Sequence, residues 1–390
     1  MEHEKGRPSY MTRPFMALSA LNFLLYGIFY LQMMVAAAYT MDILGGAPWL
    51  AGIAAGCFLL SAMVARLFTG RYIEQLGKKR MMVWGSLFYI LVVPLYYFVT
   101  NAPFFITLRL LHGLGLGVST SAIATIVVNL LPPERQGEGL SFFSLSTTLA
   151  MAVGPMLGMY LYANYSFQMI LHACMILGVL SAVVLLTAKI PDLTVDPSKL
   201  KDFGKGISGL FEKSALPISY ISILMYFAYS GLSSFLASYV KVIHLVHAGS
   251  LFFLVYSILI IVSRPPMGRL YDRKGAYVII PTFLVFSLGM LLLSQARWEW
   301  MLLLSAVFIG FGFGNFSTLG RAIAVRGLPP HKLGIASSTY IAVSELGTGF
   351  GPFILGLLIP LTSFRGVYVF LALDILAALG LYLKWYGRKY

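Results

Sequence analysis

Two carboxylates stand apart from the other acids of this 390-residue chain. Twelve of its fourteen Asp and Glu residues fall at the ends of apolar runs or between them: Glu2, Glu4, Asp42, Glu74, Glu134, Glu138, Asp192, Asp196, Asp202, Glu212, Asp272 and Glu299. Glu345 and Asp374 lie deep inside such runs. An ionised side chain at membrane depth costs about 3 kcal/mol or more unless it is paired or wet. Burial disfavours the charged form of a carboxyl, so one held at depth can carry a proton. Glu345 lies ~16 Å from the start of its run, and Arg321 on the preceding antiparallel run lies ~12 Å from the same side. Arg321 is therefore the expected partner, either in a permanent ion pair or in a proton-coupled one. Arg109, a lone deep cation beside His112, is the counterpart in the first half of the chain.

A second set of polar groups recurs at helical spacing. Asn22, Tyr26 and Tyr30 stand at i, i+4 and i+8, on one face of a helix. Ser222, Tyr226, Tyr229, Ser230 and Ser233 form a broader face, and Asn315 lies in a third run. Tyrosines so placed can stack on a flat or amphiphilic ligand while their hydroxyls bind polar groups. Small and aromatic stripes also serve helix packing, and both readings apply to each residue. His172 reads as a core histidine, and Cys57 and Cys174 as small core residues rather than a disulfide or metal pair. Nothing in the pattern calls for a metal or a cofactor.

The elements that must position these groups are membrane-length. Hydrophobic residues make up 59% of the chain and charged residues 11%, against about 25% charged in soluble domains. Twelve helix-length segments follow: 14–41, 48–69, 80–100, 103–131, 138–164, 167–189, 215–243, 249–267, 276–295, 299–328, 333–361 and 364–386. Their continuous apolarity excludes barrel strands, which alternate. The polar start and the long first run read as a spanning segment rather than a cleaved leader. The net charge of +14 falls mostly in alternate loops, as positive-inside topology requires, so both termini are expected in the cytoplasm and nucleic acid is not an expected partner. The expected organisation is a tail (1–13), a six-helix bundle (14–189), a cytoplasmic linker (190–213) with room for a short amphipathic helix, a second bundle (214–386) and a tail (387–390).

The halves repeat each other. GLGLGVSTSAIATIVVNLLPPERQG (113–137) aligns with GFGFGNFSTLGRAIAVRGLPPHKLG (310–334) at a shift of 197, and Gly154-Pro155 recurs at that shift as Gly351-Pro352. These prolines are expected to kink their helices. GRYIEQLGKKR (70–80) is echoed at a shift of 198 by GRLYDRKG (268–275), and Arg66 and Arg264 each stand four residues before the first glycine. Two six-helix repeats predict a pseudo-two-fold along the membrane normal and a site between the halves near the midplane. In the repeated cluster, glycines at the edges would let helix ends approach, and Glu74 and Asp272 would bridge them to basic groups as a conformational latch.

These motifs resemble the major facilitator superfamily along the whole chain, and within it the drug–proton antiporter-like exporters. GRYIEQLGKK keeps Gly70, Gly77, Lys78 and Lys79 of the loop signature, with Glu74 where the family has Asp and Tyr72 where it has Leu. GRLYDRKG keeps Gly268, Leu270, Asp272, Arg273 and Gly275, so Asp272 is expected to matter to the cycle at least as much as Glu74. RLLHGLG matches the fourth-helix signature at Arg109 and Gly113, with His112 at the usual Gln. AMAVGPMLGM matches the antiporter signature at Gly154, Pro155 and Gly158, while Ala150 and Met159 replace outer glycines.

The resemblance implies an all-α membrane fold of twelve helices in two pseudo-symmetric six-helix bundles. It implies a cavity lined by segments 1, 4, 7 and 10, which brings Asn22, Tyr26, Tyr30, His112, Tyr226, Tyr229, Ser230 and Asn315 together, and a role for Arg109 in coupling or substrate binding. Segment 12 would be peripheral, so Asp374 reads as a structural hydrogen-bonding group before a coupling one. The expected function is alternating-access export of an amphiphilic small molecule in exchange for protons, by a monomer in the cell (inner) membrane. Export of a defined metabolite, such as a metallophore, sugar or lipid-linked compound, is the alternative. A membrane-embedded enzyme would need a catalytic constellation at depth, and the sequence holds neither that nor a Walker-type phosphate loop.

Overall fold

The computed structural model describes residues 11–132, 136–191, 211–328 and 330–386. Within its helices the side chains of Arg71, Glu74, Ser141 and Asp272, and those of 136–138 and 330–335, lie outside the described set. Most of the 190–213 linker and both tails lie outside it as well.

The chain runs as α1 (Arg13–Asp42, interrupted at Met34 and Val35), α2 (Pro48–Leu76), α3 (Lys78–Phe98), α4 (Ala102–Leu130), α5 (Gln136–Asn164) and α6 (Phe167–Thr187). The second half runs as α7 (Leu216–Val242), α8 (Val246–Lys274), α9 (Gly275–Ser294), α10 (Glu299–Val325), α11 (330–362) and α12 (364–386). The last two are divided by Ser363, whose φ of 68° breaks the helical path. Polar residues and prolines set the starts: the Thr12 hydroxyl and the Asn101 carboxamide cap the free amides of α1 and α4, and Pro48 opens α2.

Glycines in the left-handed region set two internal ends. Gly77 (φ 90°) separates α2 from α3, and Gly275 (φ 71°) separates α8 from α9. Consequently GRYIEQL and GRLYDRK are the final turns of long helices rather than loops, and α2 and α8 run about two turns past their expected ends at 69 and 267.

Within the first half, α4 packs on α2 and α3 while α1 packs on α5 and α6; in the second, α10 packs on α8 and α9 while α7 packs on α11 and α12. The repeated glycine triplets explain the tight pairing. Gly113 and Gly117 abut α2 and Gly115 abuts α3, while Gly310 and Gly314 abut α8 and Gly312 abuts α9. Hydrogen bonds across helices replace those water would supply. The Tyr89 hydroxyl donates to the Leu25 carbonyl (3.2 Å), and that of Tyr382 to the Ala276 carbonyl (2.9 Å). Lipid-facing positions carry exposed apolar side chains such as Trp84, Ile176 and Leu186. Helices α1, α4, α7 and α10 are the most buried and α6 the least, so the inner ring is the one the resemblance implied.

The two halves meet along α2–α11, along α5–α8, and where the end of α1 meets α7. The end of the molecule that carries both described termini is called proximal below, and the other distal.

Candidate functional site

The closest approach between halves is distal. The α-carbons of Gly52 and Gly56 on α2 face the carbonyls of Pro352 and Gly349 on α11, and Gly356 faces Pro48 and Trp49. A side chain at any of these positions would strike backbone, so glycine is what allows the contact. A polar clasp lies at the same end. Lys241 at the end of α7 pairs with Asp42 at the end of α1. The Tyr162 hydroxyl of α5 donates to the same carboxylate (3.1 Å), and the ammonium sits 4.2 Å from the Tyr162 ring centroid. Half-exposed, this pair is worth at most about 1 kcal/mol, so the glycine contact carries most of the closure.

At mid-depth, Arg66 of α2 forms an ion pair with Glu345 of α11. The expected partner, Arg321, is not the one used. It is exposed on α10, within electrostatic reach of Tyr226, Tyr340 and Arg264. Counting rise along a helix gives height but not azimuth, and Glu345 faces across the interface rather than toward its own half. The pair therefore ties one half to the other. Each member is mostly buried, so removing one partner leaves a poorly solvated charge.

The tyrosines converge beside this pair. Tyr30 stacks on Tyr26 (6.1 Å between centroids) and lies within electrostatic reach of Arg66 and of Tyr226 and Tyr229 across the interface. Tyr229 stacks flat on Phe313 of α10 (4.2 Å, 2°), and Tyr226 meets the same ring edge-on. Tyr26, Tyr30 and Tyr226 stay partly exposed, and with Tyr229 they form two aromatic groups, one in each half, that come within electrostatic reach of each other through Tyr30; these groups are called the aromatic cage.

Other expected cavity residues are spent on packing. The Asn22 carboxamide donates to Ser146 and Thr147 of α5 (2.7 and 2.9 Å), and that of Asn315 to Ser263 of α8 (2.8 Å); both are buried helix tethers. Ser230 donates to the Phe227 carbonyl and packs against Gly351. His112 does not reach the cavity. It is fully buried among α2, α3 and α4, stacked on Tyr89 (4.1 Å), with Nδ1 3.3 Å from the Tyr96 hydroxyl. Arg109 is buried beside it, with Nε donating to the Ala54 carbonyl (3.0 Å) and the guanidinium 4.7 Å from the Phe58 centroid. The guanidinium also lies beside the Tyr96 hydroxyl, and it is not brought to Glu345.

The latch residues divide. Among the described residues nothing lies within 4 Å of a Cβ added at Gly70 or Gly268, so in this facing neither glycine brings helix ends together. Arg273 is exposed and joins Lys274 and Arg326 around a surface pocket of about 520 Å³. The side chains of Glu74 and Asp272 lie outside the described set. Gly154 abuts Tyr30 and Gly351 abuts Ser230, so each Gly-Pro site seats α5 or α11 on the inner helix of its own half. Pro155 and Pro352 sit inside continuous helices.

The sequence profile of the Major Facilitator Superfamily matches residues 18–296 and 246–390. The chain belongs to the major facilitator superfamily. It is a multi-pass membrane transporter with that superfamily's fold, not an enzyme. It is 27% identical over 332 residues to the uncharacterized MFS-type transporter MJ1560 of Methanocaldococcus jannaschii, covering 83% of this chain and 85% of that one. It is 24% identical over 363 residues to Multidrug resistance protein 3 of Bacillus subtilis, covering 77% and 70%. A crystal structure of the nucleoside transporter NupG superposes with a TM-score of 0.74 at 15% identity, covering 95% of this chain and 99% of that one.

In this major facilitator, Asp374 sits on α12, which packs on α9 through the Ser287–Ala372 hydrogen bond (2.9 Å) and on α7 through Leu371 and Gly231. Among the described residues its buried Oδ2 has no hydrogen-bond partner, which costs about 1–3 kcal/mol. Asp374→Asn is expected to hold or raise the melting temperature and to keep gradient-driven transport within about two-fold of wild type. Loss of proton coupling in that variant would place Asp374 in the mechanism.

Proposed function

We propose that this major facilitator exports an amphiphilic small molecule in exchange for protons, by alternating access about the Arg66–Glu345 pair. The observation that carries the reading is the position of that pair: it links the halves at mid-depth, beside an aromatic cage built from both. The distal contacts close one side, and the bias of Lys and Arg toward proximal loops supports reading that side as the cell exterior and the proximal side as the cytoplasm. The name of the Bacillus subtilis relative supports export.

In this scheme the deprotonated, empty carrier is held facing the cytoplasm, because opening the distal side would separate Arg66 from Glu345 and strand both charges. Cargo in the cage supplies new contacts that offset the loss and lets the halves rock. On the outer side Glu345 takes a proton, which frees the empty carrier to move between the two facings, and it returns. The proton leaves inward when the pair re-forms.

Purified protein in proteoliposomes with an imposed pH gradient tests the scheme. A panel of fluorescent amphiphiles should yield at least one that accumulates against its own gradient, with protons moving the opposite way. Movement that ignores the pH gradient would remove antiport from the account.

A further inference from the structure

The pseudo-two-fold relates Arg66 on α2 to Arg264 on α8 at a shift of 198, and Glu345 on α11 to Thr148 on α5 at the shift of 197 fixed by the two Gly-Pro sites. The α2–α11 contact and the α5–α8 contact are therefore symmetry mates. In the first, a guanidinium meets a carboxylate. In the second, the carboxylate position holds a threonine whose hydroxyl already donates to the Ser144 carbonyl (3.1 Å). Arg264 has no carboxylate partner among the described residues, and its Nε is buried with no hydrogen-bond partner.

What surrounds Arg264 deepens the imbalance. Tyr256, Tyr226, Tyr30 and Arg321 lie within its electrostatic reach, and none of them carries a negative charge at neutral pH. The buried Tyr256 hydroxyl pairs with that of Tyr229, and the neighbouring Ser263 hydroxyl is taken by Asn315. Among the described residues the cluster thus offers donors and positive charge and holds no anion. A half-buried guanidinium whose Nε is shielded and unpartnered among the described residues is suited to an acceptor that presents two oxygens.

We propose that Arg264 is the docking point for an acidic group on the cargo, a carboxylate or a phosphate monoester, and that the cage of Tyr26, Tyr30, Tyr226 and Tyr229 holds its apolar body. This rests on the export reading and narrows its amphiphile to an organic anion. A bound anion makes the α5–α8 contact charge-balanced as Glu345 does for α2–α11, and Arg321 adds a second cation on the proximal approach.

The test is binding to the purified full chain in nanodiscs, read by thermal shift and by calorimetry. The probes are naphthyl and alkyl carboxylates and phosphate monoesters, each paired with its neutral amide or alcohol. Stabilisation is expected from acids and not from their neutral partners, and the two acid series tell carboxylate from phosphate recognition. Arg264→Gln is expected to weaken acid binding at least ten-fold, with Arg264→Lys intermediate. Thr148→Glu, which supplies the missing carboxylate internally, is expected to fold and to lose acid binding to a similar degree. Acids that stabilise no better than their neutral partners, or that bind Thr148→Glu as they bind wild type, would overturn the proposal. Export and anion recognition fail separately. Gradient-driven movement of neutral or cationic amphiphiles alone leaves the antiport scheme and removes the anion site. Acid binding without any gradient-driven movement does the reverse.

Discussion

Glu345→Gln is expected to abolish accumulation driven by a pH gradient while leaving exchange of cargo across the membrane at equal pH. Glutamine has nearly the shape of the protonated acid and cannot cycle its charge. Arg66 then loses its counter-charge across the α2–α11 contact in the facing seen here. Breaking a mostly buried pair costs about 3–5 kcal/mol when a charge is left uncompensated. Partial exposure of both side chains and the polar amide reduce that, so the distal-closed state should lose about 1–3 kcal/mol relative to its alternative. That corresponds to roughly a 5- to 150-fold shift toward distal opening. Proteoliposome assays separate the two effects: concentrative uptake should fall to background, and counterflow should persist at a comparable rate. Retained gradient-driven accumulation would clear Glu345 of proton coupling and turn attention to Arg109 or Asp374.

The second large effect is steric. At Gly56 an added Cβ would fall on the Gly349 carbonyl oxygen, an atom of the α11 backbone that no rotamer change can move. Gly56→Leu is therefore expected to force α2 and α11 apart on the distal side. Overpacking of this kind costs about 1–3 kcal/mol and can cost more when backbone must yield. Transport should fall at least ten-fold, and an accessible cysteine placed near Pro48 should react faster with a membrane-impermeant thiol reagent. Gly380→Ala is the matched control, because nothing lies within 4 Å of its added methyl. It should be neutral or slightly stabilising, since alanine favours a helix over glycine by about 1 kcal/mol. Equal damage from both substitutions would mean that the distal glycine contact has no special part in closure.

How far the site was legible follows from what a linear pattern encodes. Glu345 announced itself because a carboxylate inside an apolar run has few innocent explanations, and the tyrosines because helical spacing puts them on one face. The repeat offset was legible through rare residues such as Gly154-Pro155 and Gly351-Pro352. Height along a helix could be counted, but the direction in which Glu345 faces depends on how two halves dock. That is why the linear pattern points to Arg321 rather than Arg66, although Arg66 already stands out as the repeat mate of Arg264. His112 shows the same limit: its neighbourhood to Arg109 was visible, while its seat against Tyr89 depends on the packing of α3 on α4. The Asp42–Lys241–Tyr162 clasp was hidden because each residue reads as an ordinary group at a helix end. Gly52 and Gly56 were hidden because glycine is common in membrane helices, and only the α11 backbone opposite them gives them a role.

The same geometry explains why the proximal clusters look idle. Gly70 and Gly268 have open space around them because this facing is closed at the other end. If GRYIEQLG and GRLYDRKG act as a latch, they would do so in the opposite facing, where these turns of α2 and α8 would meet their neighbours. On the proposed cycle, two sets of glycines would serve in turn, one per side.

The central claim is that the charged Arg66–Glu345 pair holds the distal side of the empty carrier closed, so that without cargo this side opens only when Glu345 is neutral. The most direct test is the distance between spin labels at Ile43 and Val242, exposed residues at the distal ends of α1 and α7. The wild-type chain in nanodiscs should show a short distance at alkaline pH and a growing long-distance population as pH falls. Glu345→Gln should show the mixed population at every pH. A wild-type distribution that does not respond to pH, or a response that survives in Glu345→Gln, would contradict the account.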